Sequence, residues 1–172
     1  VLGLRPDDPN ALAGLANALV QRSIRWPMVE QKDAREFTRL GDALANGHLQ
    51  REPARAQLQR ARQLAQRAVA VAPESSAAYK ALGFVSSAQG QFEPALESYE
   101  RAVQLDHDAW GAMINTGDLL EIMGRGDEAL PHFERAYAAM GRAYARNPVQ
   151  VRPWYARPHL YGIARVGTTH RG

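Results

Sequence analysis

Three stretches of this chain carry residue types capable of chemistry. Gly124-Arg125-Gly126-Asp127-Glu128-Ala129 has the G-x-G-x-x-A spacing with which a strand-to-helix turn cradles a dinucleotide pyrophosphate. That turn needs a strand before its first glycine. Here Leu119, Leu120 and Met123 form a helical stripe, so the stretch reads as an interhelical turn with Asp127 as N-cap. Asp106-His107-Asp108 offers carboxylate and imidazole ligands, but adjacent residues on a turn more often cap helices. The remaining histidines, His48, His132, His159 and His170, are scattered without an i, i+4 pair, so no metal site is implied. Asp118 and Glu121 stand about one turn apart, two carboxylates on one helical face. No nucleophile, base and orienting acid recur at a recognisable spacing, and the absence of Cys removes thiolate chemistry and Cys-based zinc sites. The chain is expected to be non-catalytic and to use no cofactor.

The elements that position these residues are set by an internal repeat. Between Ser76 and Met140, Leu82-Gly83, Gly90, Ala95, Tyr99 and Ala102 find Thr116-Gly117, Gly124, Ala129, Phe133 and Ala136 at a spacing of 34 residues. Gly and Ala lie where two helix axes must approach closely, and the aromatic fills the space beside them. These residues resemble the tetratricopeptide repeat, a helix-turn-helix unit marked by Leu-Gly, a mid-repeat Gly, two Ala and a closing Pro. The resemblance implies an all-α fold of helical hairpins in a right-handed superhelix. Composition agrees, since Ala is abundant and no alternating run of β-branched residues appears.

Taken in order, residues 1–8 read as the tail of an earlier repeat, and Asp8-Pro9 as a helix start. Residues 9–73 form a partial repeat: Leu15-Ala16 take the Leu-Gly places, Trp26-Pro27 ends the first helix, and Ala61, Ala65 and Ala68 mark the second ahead of Pro73. Between them, 24–52 is an insertion with an extra helix whose stripe is Val29, Phe37, Leu40 and Leu44; alternatively Phe37, Leu40-Gly41 and Leu44 begin an irregular repeat. Repeats at 76–109 and 110–148 follow, the latter with a long second helix, then a capping helix at 153–167. Pro94 and Pro131 are placed in the first turns of their helices. All of this is expected to form one domain.

The family resemblance also implies a concave groove lined by the first helix of each repeat. Carried over, its lining is Asn10, Ala13, Asn17 and Val20, then Ala77, Lys80, Phe84 and Ser87, then Gly111, Ile114, Asp118 and Glu121. The partner-binding candidates among them are Asn17, Lys80, Phe84, Asp118 and Glu121, an aromatic shelf between a polar and an acidic end that suits an extended or helical peptide. The expected ligand is a protein or peptide, and the chain is similar to repeat regions fused to bacterial cyclases or winged-helix regulators. A regulatory appendage of such an enzyme is therefore a competing reading.

The other competitor is nucleic acid. The formal charge is +3, and beyond Glu134 there is no acidic residue while Arg135, Arg142, Arg146, Arg152, Arg157, Arg165 and Arg171 accumulate among Tyr137, Tyr144, Trp154, Tyr155 and Tyr161. No run of about eighteen apolar residues is present, so no membrane span is expected. An array ending within a repeat exposes an apolar face, and self-association through the Trp154–Val166 segment or the N-terminal helix is expected.

Overall fold

The computed structural model describes residues 7–30 and 39–146. Its elements are helices α1 (Pro9–Glu30), α2 (Leu40–Ala45), a 3-10 turn (His48–Gln50), α3 (Ala54–Val71), α4 (Ser76–Ala88), α5 (Phe92–Leu105), α6 (Trp110–Ile122) and α7 (Gly126–Arg146). Helix α1 packs along α3, α4 along α5 and α6 along α7, and successive hairpins stack through α1–α4, α3–α4 and α5–α6. Among the described residues the result is an all-α stack of helical hairpins. The pairing of α1 with α3, across the insertion, leaves α2 outside any hairpin.

Each helix boundary has a local cause. Asp8 accepts from the Ala11 amide at 2.8 Å and caps α1, with Pro9 in the first helical position, where no N–H is needed. Ser75 caps α4 through the Ala78 amide at 3.2 Å. Helices α4 and α6 end alike. Gly90 and Gly124 both adopt φ +75°, and the two following amides turn back: Gln91 to the Ser86 carbonyl at 2.9 Å, and Arg125 to the Leu120 carbonyl at 2.8 Å. These are left-handed glycine stops that satisfy the last free carbonyls of each helix. Gly124 therefore closes a helix, and the glycine pair does not follow a strand.

The core is built on absent side chains. A Cβ on Gly83 would lie 2.6 Å from the Tyr99 ring, and one on Gly117 would lie 2.5 Å from the Phe133 ring. Both contacts are closer than real atoms come, so each aromatic occupies the volume that its glycine vacates. Ala61, Ala95 and Ala129 recur at 34-residue steps on α3, α5 and α7, as do Ala68, Ala102 and Ala136, and all six are buried. In the first hairpin the glycine–aromatic pair is replaced by Ala16 and Ala65, both wholly buried. Tyr99 keeps its hydroxyl satisfied at 3.1 Å from the Ser87 hydroxyl, which itself donates to the Gly83 carbonyl at 3.0 Å. The next repeat has Phe133 and Glu121 at the same two places. Where the aromatic loses its hydroxyl, the facing residue is free to be an exposed acid.

The structure corrects four expectations. Helix α1 does not end at Trp26-Pro27 but continues to Glu30. Proline cannot donate to the carbonyl four residues back, which is that of Ser23; that carbonyl instead accepts from His48 Nε2 of the 3-10 turn at 2.6 Å. The extra helix of the insertion is short, Leu40–Ala45, because Val29 belongs to the end of α1; Phe37 lies outside the described residues. Asp127 is not a cap, since α7 begins at Gly126 and places Asp127 inside the first turn. That early start also puts Pro131 beyond the first turn, on an exposed side where solvent can meet the carbonyl it leaves unpaired. Residues 1–6 of the tail read at 1–8, and the capping helix at 153–167, lie outside the described residues.

Candidate partner-binding face

The first helix of each hairpin, α1, α4 and α6, supplies one row of the candidate face. Asn17, Phe84 and Asp118 occupy equivalent places on the three helices. Asn17 is half-buried on α1. Lys80, also half-buried, lies along α6, where Gly111 makes room: a Cβ there would stand 3.4 Å from the Lys80 ammonium nitrogen. Lys80 helps line a cavity of about 220 Å³ together with Ser76, Asp106, Trp110 and Gly111. Phe84 is half-buried too and packs into two core clusters at once, one centred on α1, α3 and α4, the other on α5 and α6. It serves as a seam between hairpins as well as a surface. Asp118 and Glu121 on α6 are exposed.

The acidic pair has a distinct electrostatic state. Solvent reaches Asp118, yet protein crowds its carboxyl within the face. That crowding first, and the neighbouring Glu121 charge second, push it up to about 6, while the Arg39 guanidinium pulls it back. Tyr99 lies close beneath: burial pushes its phenol far above the ordinary range, with Ser87 and Asn115 hydrogen bonding to it. The acid is thus exposed above a neutral, fully packed floor.

Several groove-lining positions carried over from the family are not open here. Ala13, Val20 and Ser87 are buried. The insertion accounts for part of this. Its Leu40 and Leu44 pack onto the same cluster as Val20 and Phe84, Ala43 and Leu49 are buried with them, and Gly41 of α2 meets the Ile122 side chain of α6 at 3.4 Å from where its Cβ would be. Arg39, at the start of α2, is the basic residue acting on Asp118. The repeat register assigns the acids and the aromatic to this face, whereas Arg39, Gly41, His48 and Ile122 are not among the sequence candidates for it. The insertion has no repeat register from which its resting place follows.

The other candidates resolve simply. The Asp106-His107-Asp108 turn is held by its own bonds, Asp106 accepting from the Asp108 amide at 2.9 Å. The Asp108 carboxylate takes Arg142 at 2.8 Å and also Arg146 from the extended end of α7, and these hydrogen bonds hold it below the usual carboxylate range. No group of three potential metal ligands occurs among the described residues. Two arginines of the basic end are therefore engaged by an acid, while Arg152, Arg157, Arg165, Arg171, Trp154, Tyr155 and Tyr161 lie outside the described residues. Among the described residues no helix is long and apolar enough to cross a membrane.

No protein-family model matches the chain. The chain is 32% identical to cellulose synthase operon protein C of Xanthomonas axonopodis pv. citri (strain 306), the match covering 87% of this chain and 11% of that protein. The chain thus spans about a ninth of that curated relative's length. Among solved structures, a crystal structure of MamA is 23% identical, with a TM-score of 0.49 over 81% of this chain and 82% of that one. TTC0263, a thermophilic TPR protein of Thermus thermophilus, is 24% identical, with a TM-score of 0.49 over 78% of this chain and 75% of that one. MamA residues 41 to the end from Desulfovibrio magneticus RS-1 give 21% and 0.48, over 80% and 78% of the two chains. The 34-residue register, the paired glycine stops at Gly90 and Gly124 and the Gly83–Tyr99 and Gly117–Phe133 interlocks are read from this chain's own residues, and in them the chain resembles the tetratricopeptide repeat.

Proposed function

We propose that this chain is a non-catalytic protein-interaction module, one section of a longer regulatory or scaffold protein, whose concave face takes a peptide or a helix of a partner. The observation that carries the reading is the exposure of Asp118 and Glu121 on α6, with Asp118 at the repeat position of Phe84 on α4 and Asn17 on α1. Exposed like charges on one turn do nothing for the fold, and Asp118 is held in a state that a neighbouring cation would relieve. Asn17, Lys80, Phe84, Asp118 and Glu121 are the residues assigned to partner contact. The likeness to one stretch of a much longer protein supports the reading as a section rather than a whole.

A photo-crosslinking amino acid placed at Glu121 tests this. It should capture a discrete protein partner in the source cell, and the capture should be lost on adding Phe84→Ala with Asp118→Lys. A crosslinker at the exposed Gln91, on the hairpin turn, should not capture that partner. Capture retained at full yield by the double variant would place the binding surface elsewhere.

A further inference from the structure

The 39–50 segment sits on the face to which partner binding is assigned. Its short helix meets α6 through Gly41 and Ile122. Its Leu40 and Leu44 join the cluster that Phe84 of α4 belongs to. Its first residue, Arg39, brings a guanidinium whose charge acts on Asp118. Apolar contact in the middle and a cation at the acidic end are the two features that a ligand for this face needs.

The two halves of the segment are held differently. The 3-10 turn is anchored: Leu49 is buried and His48 bonds the Ser23 carbonyl at 2.6 Å. Helix α2 is not anchored in this way. It has six residues, only Ala43 of them fully buried, and its first turn is capped from within, the Arg39 amide donating to the Asp42 carboxylate at 3.2 Å. A helix of this length has almost no stability of its own in water, so its place depends on Leu40, Leu44 and the Arg39 charge. Exposed charge attraction of this kind is weak.

We propose that α2 is an internal ligand of the concave face, tethered by the 3-10 turn, and that the partner is a short basic amphipathic helix that displaces it. This rests on the reading of that face as the partner-binding surface. The geometry of α2 specifies the competitor: a cation where Arg39 stands, a small residue where Gly41 meets Ile122, and leucines a turn apart. Tethering gives α2 a local concentration in the millimolar range. A partner must therefore outbind α2 by its own apolar area, which selects against weak general binders.

The test uses the full chain and a labelled synthetic peptide of residues 39–50. Because the chain has no cysteine, Gly41→Cys with Ile122→Cys can lock α2 in place as one disulfide. Peptide affinity should rise in the order locked, wild type, Arg39→Glu, the last because its own α2 is repelled from Asp118 and Glu121. Amide exchange in Ala43–Asn46 should be faster than in α4, faster again in Arg39→Glu, restored in Arg39→Lys, and slowed by the lock. Exchange in α2 as slow as in α4 would overturn the proposal by making α2 a fixed part of the fold. Equal peptide binding by all three proteins would overturn it while leaving a binding face elsewhere. Binding by none, with fast exchange in α2, would sink the partner-binding face itself.

Discussion

His48 Nε2 donates to the Ser23 carbonyl at 2.6 Å, and that carbonyl is the one to which Pro27, four residues on, cannot donate. A helix-interior proline costs about 3 kcal/mol or more, partly through this lost bond. Here the insertion returns the bond from outside the helix, tying the 3-10 turn to the defect in α1. His48→Ala should destabilise the fold by about 1–3 kcal/mol, the usual cost of leaving a buried acceptor unmet. In a Pro27→Ala background the same change should cost clearly less, because the new amide supplies the donor. Urea unfolding of the four proteins of this cycle measures the coupling; additive effects would show that the two residues are unrelated.

Gly83 and Gly117 are predicted to be intolerant for a steric reason alone. A methyl at either meets an aromatic ring at 2.6 or 2.5 Å, so Gly83→Ala and Gly117→Ala should each cost about 1–3 kcal/mol through overpacking. Gly14 and Gly141 are helical glycines with nothing within 4 Å of a built Cβ. At these positions the same change should stabilise by up to about 1 kcal/mol, the helix-propensity gain of Ala over Gly. Thermal melts that ranked all four alike would mean that the interlock is absent.

The repeat was legible because its signal is covalent in kind: a missing Cβ at Gly83 and a ring at Tyr99 recur, in altered but compatible form, 34 residues later. The helix stops at Gly90 and Gly124 were legible for the same reason, since a left-handed φ strongly favours glycine. The path of 24–52 was not. Trp26-Pro27 reads locally as a break, and only the His48 ring, which is distant in sequence, lets the helix pass it. The candidate face was half legible. Phe84, Asp118 and Glu121 follow from register, but the resting place of α2 on that face depends on Gly41, Leu40 and Leu44, whose period fits a surface helix equally well. Pro131 was misplaced because the start of α7 depends on where the Gly124 turn releases the chain.

Asp118 should give the fold a specific pH response. Its carboxyl, pushed up to about 6, keeps its proton where an unfolded chain, with Asp near about 3.9, has lost it. Between those values the folded state binds more protons, so this contribution favours folding on the acid side and is lost as pH rises through the window. Asp118→Asn should flatten that part of the stability profile. By NMR titration, Glu121→Gln should lower the Asp118 midpoint, and Arg39→Gln should raise it. A midpoint near the ordinary carboxylate value, unmoved by either change, would remove both the crowding and the Arg39 charge from the account.

Helix α7 carries the last prediction. Leu130, Tyr137 and Tyr144 recur every seven residues on it and are 54%, 67% and 44% exposed. Leu130 and Tyr137 are the 34-residue equivalents of Leu96 and Val103 on α5, which are half-buried and pack in the clusters shared with α6. In a stacked array this row is the surface on which the next first helix rests, and on α7 it is open among the described residues. Large exposed apolar rows drive association, so the chain should self-associate as its concentration rises. Leu130→Glu with Tyr137→Glu should shift it to monomer without loss of helicity, because both side chains are exposed. Sedimentation and circular dichroism measure the two together: a wild-type chain that stays monomeric at high concentration, or a variant that associates as strongly, would mean that this row is already covered within one copy.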